Sequence, residues 1–147
     1  MTPADLLAFL RTHKLAVVAT VGAGGAPEAA VVGAVVTDSF ELFFDTTSAS
    51  RKIRNLRTNP RVAAVIGGTT LRDERTVQLE GVADEPSGDE LARLKEEYFS
   101  IYPDGRDRQA WPEIAYVRVR PAWVRYSDFN LAPPQIVEWS SAQLLGD

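Results

Sequence analysis

The sequence predicts a mainly β domain of the α+β class, a small antiparallel β-barrel with helical additions. Three observations predict it. Half a dozen short runs of apolar and β-branched residues follow one another, each of strand length. Turn-forming Gly, Pro, Asn, Asp or Ser residues separate most of them. Helical spacing is confined to a few short segments, each opening on a capping residue. With 147 residues, 45% apolar and 24% charged, the chain suits one globular domain spanning 1–147.

The elements follow in order. Thr2 reads as a helix cap with Pro3 at the first helical position. Leu6, Leu7, Phe9 and Leu10 then form an apolar stripe to about residue 12. Leu15–Val21 is β-branched and apolar, a strand, and Gly22–Pro27 is a hairpin connection. Glu28–Val36 reads as a second strand, small and apolar on both faces. Such a strand is either buried on both sides or admits close approach of a flat ligand. Thr37-Asp38-Ser39 turns the chain into a third strand, Phe40–Asp45. A short helix over Ser50–Thr58 turns Ile53 and Leu56 inward and ends at Asn59-Pro60.

Arg61–Gly67 is the next strand, and Gly68–Glu74 a loop. In Arg75–Asp84, Val77, Leu79 and Val82 are apolar, while Thr76, Gln78 and Glu80 share the opposite face. Gly81 breaks that alternation and marks a bulge. Ser87-Gly88-Asp89-Glu90 matches a capping box ahead of Leu91, Leu94, Tyr98 and Ile101 at helical spacing. That is a surface helix whose acids carry no acid–base role. Tyr102–Gly105 is a turn. Ile114–Arg120 and Ala122–Ser127 read as strands either side of Pro121, and Pro133-Pro134 opens a tail.

Composition excludes several chemistries. Without cysteine there is no disulfide, thiol nucleophile, zinc–thiolate site or iron–sulfur cluster. One histidine, His13, leaves no histidine-rich metal site, and its place at a helix end argues against a catalytic triad. No metal site is expected. The N-terminus lacks a secretory pattern, and the longest run without a polar residue, Ala29–Val36, is far short of a membrane span. The expectation is a soluble cytoplasmic protein with no membrane partner. A net charge of −4 argues against nucleic acid as a partner.

Charge is unevenly placed. Arg51, Lys52, Arg54, Arg57 and Arg61 fall within eleven residues that hold no acid, so the remainder carries −9. A basic island on an acidic chain is either a solvated helix face or a small anion site. The context raises the second and leaves a capped surface helix as the alternative. Ser48, Ser50, Arg51 and Lys52 fall where a strand hands over to a helix, whose first N–H groups and about half a positive charge attract anions. Thr46, Thr47, Ser48 and Ser50 add hydroxyl donors. Arg51 offers a planar fork and Lys52 a compact charge, a pair suited to phosphate. Arg54 and Arg57 lie further along, where solvation is expected.

Phe43-Phe44-Asp45-Thr46, Ser50-Arg51-Lys52 and Asn59-Pro60-Arg61-Val62-Ala63 together resemble the signature of the pyridoxamine 5′-phosphate oxidase-like superfamily of FMN-binding split β-barrels. Val77-Gln78-Leu79-Glu80-Gly81 and Tyr116–Pro121 resemble two further strands of that family, and the order of elements agrees from Leu15 through Ser127. The resemblance implies a six-stranded antiparallel split β-barrel, homodimeric, with two cofactor sites at the interface. It implies that Arg51 and Lys52 bind the flavin phosphate, that Ser50 caps it, and that Asp45 and Thr46 line the ribityl and phosphate side. Thr76 falls where the oxidases have a ring-contacting glutamine, and Gln78, on the same strand face, is a substitute. Val31–Val36 matches the strand that lies along the isoalloxazine.

The departures narrow the function. Ala30 and Val35 stand near positions where the oxidases place an arginine and a lysine, and the closing Arg-x-His-Asp-Arg motif has no counterpart. Both argue against oxidation of pyridoxamine phosphate itself. The resemblance therefore implies an FMN-dependent oxidoreductase acting on a small molecule that the sequence does not identify. Deazaflavin is the alternative cofactor. A non-catalytic flavin- or deazaflavin-binding protein and a structural dimer with an empty site are the alternative functions. Haem, bound by some branches, is disfavoured by the lone imidazole. No catalytic side chain stands out. Trp111, Trp123 and Trp139 are expected in core or dimer packing rather than stacked on a flavin. Tyr116, Arg118 and Arg120 share a strand face, either solvated or reaching a ligand's anionic group.

Overall fold

The computed structural model describes residues 1–146. Its elements are α1 (Pro3–Thr12), β1 (Leu15–Val21), β2 (Pro27–Gly33), β3 (Val35–Val36), β4 (Leu42–Thr47), α2 (Arg51–Thr58), β5 (Arg61–Gly67), β6 (Arg75–Asp84), α3 (Gly88–Ile101), α4 (Gly105–Arg108), β7 (Ile114–Asp128), β8 (Gln135–Ser140) and α5 (Ser141–Leu145). The strands form one antiparallel sheet in the order β2-β1-β5-β6-β7-β4-β3, with β8 added to β7. The result is a mainly antiparallel sheet curled into a half-barrel.

The first and last strands of that order are β2 and β3, and one residue, Ala34, joins them. The sheet must therefore curl until its two ends meet. The expected Glu28–Val36 strand is corrected accordingly: it changes partners midway. Residues to Gly33 pair with β1, whereas Val35 and Val36 pair with Phe43 and Leu42 of β4. The Ala34 N–H is satisfied by the Lys14 carbonyl at 3.0 Å, so the break leaves no orphan donor there.

Eight strands replace the expected six. The segments either side of Pro121 are one fifteen-residue strand, β7. The tail after Pro134 becomes β8, with Trp139 buried against Val124. The bulge lies where Gly81 indicated: Glu80 faces Trp123 and Gly81 faces Pro121, leaving Ala122 as the extra residue. Gly81 is required there, because a Cβ would stand 2.3 Å from the Arg120 carbonyl oxygen.

The main core fills the barrel. Ala16, Val18, Val62, Ala64, Ile66, Val77 and Leu79 point inward at period two, and α1 and α2 close over them with Leu6, Phe9, Leu10, Ile53 and Leu56. Thr2 caps α1 as expected, with Asp5 completing a capping box. A second cluster lies outside the barrel, where α3 lays Leu94, Tyr98 and Phe99 on Val35, Phe43 and Tyr116. Strand β4 is thus buried on both faces, with Leu42 and Phe44 facing one core and Phe43 the other.

The expected capping box of α3 does not form. Ser87 makes no side-chain cap bond, and Glu90 is drawn instead to Arg118. Neither reading of the Tyr116–Arg118–Arg120 face holds for its first two members. Tyr116 is buried, and its hydroxyl has no partner among the described residues. Arg118, only 3% exposed, is gripped by Asp84 through two bonds of 2.9 and 2.6 Å and by Glu90, with Glu41 at 3.7 Å. Only Arg120 is exposed, beside Asp84 at 3.0 Å. Among the described residues no helix is long and apolar enough to cross a membrane.

Two predictions follow from this packing. Gly81→Ala forces the bulge apart and should lower stability by about 2–3 kcal/mol in chemical denaturation; an unchanged midpoint would show that the turn relaxes freely. The Arg118 guanidinium holds the Asp84 carboxyl below its ordinary value. A carboxyl depressed in the folded state adds stability above its unfolded value, and that stability is lost as pH falls through the folded value. Asp84→Asn should lower the melting temperature at pH 7 by roughly 2–4 °C and flatten the acid limb below about pH 4. An acid limb as steep as wild type would exclude Asp84 as its source.

Candidate functional site

The site is built where β4 hands over to α2. Strand alternation turns Thr46 toward α2 and its neighbour Asp45 toward α3. Ser50 caps α2, its Oγ accepting from the Ile53 N–H at 3.3 Å. The Thr46 hydroxyl donates to Ser50 Oγ at 3.2 Å, and Lys52 Nζ donates to Thr46 Oγ1 at 3.2 Å. Three of the expected residues, Thr46, Ser50 and Lys52, therefore form one hydrogen-bonded chain at a helix N-terminus.

Arg51 crosses to β2 and pairs with Glu28. The other Glu28 oxygen accepts from Asn55 Nδ2 at 2.7 Å, and Asn55 also donates to Thr20 Oγ1 at 3.0 Å. A cavity of about 270 Å³ opens between these groups, lined by Val18, Thr20, Glu28, Ala30, Arg51 and Lys52. Glu28, Asn55 and Thr20 were not expected in the site. The available signal was Glu28 itself, a lone acid opening an otherwise apolar strand.

Three other expected residues stand apart. Asp45 accepts from Tyr98 Oη at 3.0 Å and from Arg108 Nε at 2.7 Å, and Arg108 also donates to the Tyr98 oxygen at 3.1 Å. Burial, with Asp45 alongside, pushes the Tyr98 phenol up, in keeping with its donating to Asp45 while accepting from Arg108. Thr76 and Gln78 project from the outer face of the sheet. By register Thr76 is level with Leu15, which puts it roughly 15–20 Å along and across the strands from Thr20. Within one chain, they do not meet Arg51 and Lys52.

The remaining candidates fall as follows. Trp139 is core, Trp111 is exposed and Trp123 is half-buried. Gly33, in the strand read as either buried on both sides or open to a flat ligand, accommodates the Tyr102 ring, which a Cβ would meet at 3.0 Å. His13 ends α1 with its ring 4.2 Å from the Phe9 ring and its Nδ1 2.9 Å from the Phe9 carbonyl. A carbonyl only accepts, so Nδ1 carries the proton.

The family model described as Pyridoxamine 5′-phosphate oxidase matches residues 2–128. The pyridoxine/pyridoxamine 5′-phosphate oxidase of Bordetella avium is 32% identical over 136 residues, covering 86% of this chain and 60% of that protein. Its namesake from Burkholderia vietnamiensis is 30% identical over 152 aligned positions, covering 97% of this chain and 67% of that protein. The chain therefore spans 60–67% of the length of these relatives. Among solved structures, a heme binding protein from Mycobacterium smegmatis superposes with a TM-score of 0.83 at 18% identity, over 99% of this chain and 61% of that one.

Proposed function

Because the chain belongs to the pyridoxamine 5′-phosphate oxidase family, we propose that it is a flavin-binding protein, an FMN-dependent oxidoreductase acting on a small molecule. One observation carries this reading: the Thr46–Ser50–Lys52 chain at the N-terminus of α2, with Arg51 beside a 270 Å³ cavity. The donor set fits a phosphate: one ammonium, one guanidinium, a hydroxyl and helix N–H groups. Lys52 and Arg51 hold the phosphate, Ser50 caps it, and Thr46 fixes the Lys52 head. Bound flavin supplies hydride chemistry. The protein's part is to orient it and to hold its charge.

Pyridoxamine phosphate is not the substrate we assign, since Ala30 and Val35 bring no charge to β2 and β3. Haem is not the cofactor we assign either, since the lone imidazole is packed on Phe9 with one nitrogen engaged. Deazaflavin shares the phosphate chemistry and is the second cofactor to test.

The working unit in this reading is a homodimer. The outer face of β2, β1 and β5 carries an uncovered row, Val31–Val17–Val65, beside Ala29–Ala19–Ala63. Val31 is 64% and Leu15 54% exposed. Thr76 and Gln78 extend the same face but stand far from their own chain's cradle. A second copy seated on this face covers the apolar row and brings its Thr76 and Gln78 to the first copy's site. The cofactor site is then shared between two chains.

Two experiments test the reading. Titration with FMN, followed by quenching of flavin fluorescence, should saturate near one flavin per chain. Arg51→Ala combined with Lys52→Ala should weaken binding about 100-fold, the worth of two charge-assisted contacts. No saturation by about 1 mM FMN, only about 4 kcal/mol of affinity, and none with a deazaflavin, would sink the cofactor assignment. Light scattering should give twice the chain mass. Val31→Glu with Val65→Glu should give one chain mass and weaken flavin binding. A monomeric wild type at about 10 µM, well above the Kd of a nanomolar dimer, would overturn the dimer.

A further inference from the structure

An acid stands in the cradle where the anionic end of a ligand would lie. Glu28 enters from the second residue of β2, and its side chain is 20% exposed against 75% for Arg51. Its position is built rather than incidental. Arg51 takes one carboxylate oxygen and Asn55 the other, and Asn55 is itself anchored on the buried Thr20. Gly22 leaves the room, because a Cβ there would come within 2.9 Å of Glu28 Oε1. The cradle's two cations are therefore unequal. Lys52 donates to a neutral hydroxyl and keeps its charge for a ligand, while Arg51 is already matched by a carboxylate of its own chain.

We propose that Glu28 is an internal competitor for the ligand's phosphate, displaced from Arg51 when the ligand binds, and that it sets the charge selectivity of the site. This rests on reading the cradle as a phosphate site. Exchanging one anion for another at Arg51 removes most of the gain that a free guanidinium would give. In this reading the cost falls on the phosphate, because the pair lies in the cradle assigned to it. Neutralising Glu28 should then tighten phosphate-bearing ligands and leave their dephosphorylated forms unchanged. If Glu28 instead aligns Arg51 and Asn55 for the ligand, neutralising it weakens binding.

The test titrates FMN, riboflavin and inorganic pyrophosphate into wild type, Glu28→Gln and Glu28→Ala, pyrophosphate being read by calorimetry. Glu28→Ala is included because it places no amide N–H against Arg51, and thermal melts establish that each variant is folded. Both variants should bind FMN and pyrophosphate about threefold to fivefold tighter, the worth of one exposed, screened charge contact, with riboflavin unchanged. Added to Arg51→Ala, Glu28→Gln should give a smaller gain than in wild type, since the competed cation is gone. Folded variants that bind FMN and pyrophosphate no tighter than wild type would overturn the proposal. Pyrophosphate tightened in the absence of any flavin binding would support Glu28 as the competitor while overturning the flavin reading.

Discussion

The barrel depends on one covalent constraint. Ala34 joins the first and last strands of the sheet, so the two ends of a seven-stranded order lie one residue apart. A flat sheet cannot satisfy that. The right-handed twist of the strands supplies the curl, and the inward residues of β1, β5 and β6 supply the core that makes the curl favourable. Closure also fixes the role of β4. It receives β3 on one side and β7 on the other, with the barrel core on one face and α3 on the other. Once β4 is buried twice, the parity of its last residues is set. Asp45 must face α3, and Thr46 must face α2. The cradle's hydroxyl chain is a consequence of that parity.

The polar groups follow a second logic. Arg118 and Asp45 both sit on strands whose surroundings exclude water, and each is matched by more than one partner. A buried charge stripped of its partners is costly, so such clusters specify which strands and helices adjoin more than they add stability. Arg118 ties α3 to β6, and Arg108 ties α4 to β4. These clusters lie outside the barrel, on the side of α3. The cradle at α2 differs: its cations are half or fully exposed, and an open cavity adjoins them. Arg118 and Asp45 are closed off, whereas the cations at the cradle remain open to a ligand.

Much of the frame was legible because it is local. The Thr2 cap with Pro3, the strands β1 and β5, the period-two faces of β6, the Gly81 bulge and the Ser50 cap of α2 are written within a few residues of where they act. What was not legible depends on residues distant in the chain. Nothing in Glu28–Val36 signals a change of partner at Ala34, because both partners are equally satisfied by small apolar residues. Glu90 matches a capping box in sequence, but a buried arginine 28 positions away outcompetes the helix N-terminus. β8 follows two prolines and alternates weakly, and it is fixed by pairing with β7. In the candidate site the same division holds. Ser50, Arg51 and Lys52 are adjacent in sequence and were legible; Glu28 and Asn55 meet them only through the fold.

The cradle's unequal cations bear on what the family's phosphate signature means in this chain. Ser50-Arg51-Lys52 supplies the same residue types in the same order whether or not an acid lies opposite. Chemistry at the site is set by the sum, and here one guanidinium begins paired. Of the two cations, Lys52 is the less exposed and is held by Thr46 through a contact that costs it no charge. It is thus the fixed point of the site. Arg51, long, exposed and paired across to a different strand, is the adjustable one. A signature read as two equivalent phosphate ligands therefore resolves into a standing ammonium and a guanidinium whose availability depends on Glu28. That dependence links strand β2 to helix α2 at the mouth of the barrel. In the dimer proposed above, β2 also carries Val31 on its outer face, so the strand that supports the subunit contact holds the carboxylate that tunes the cradle.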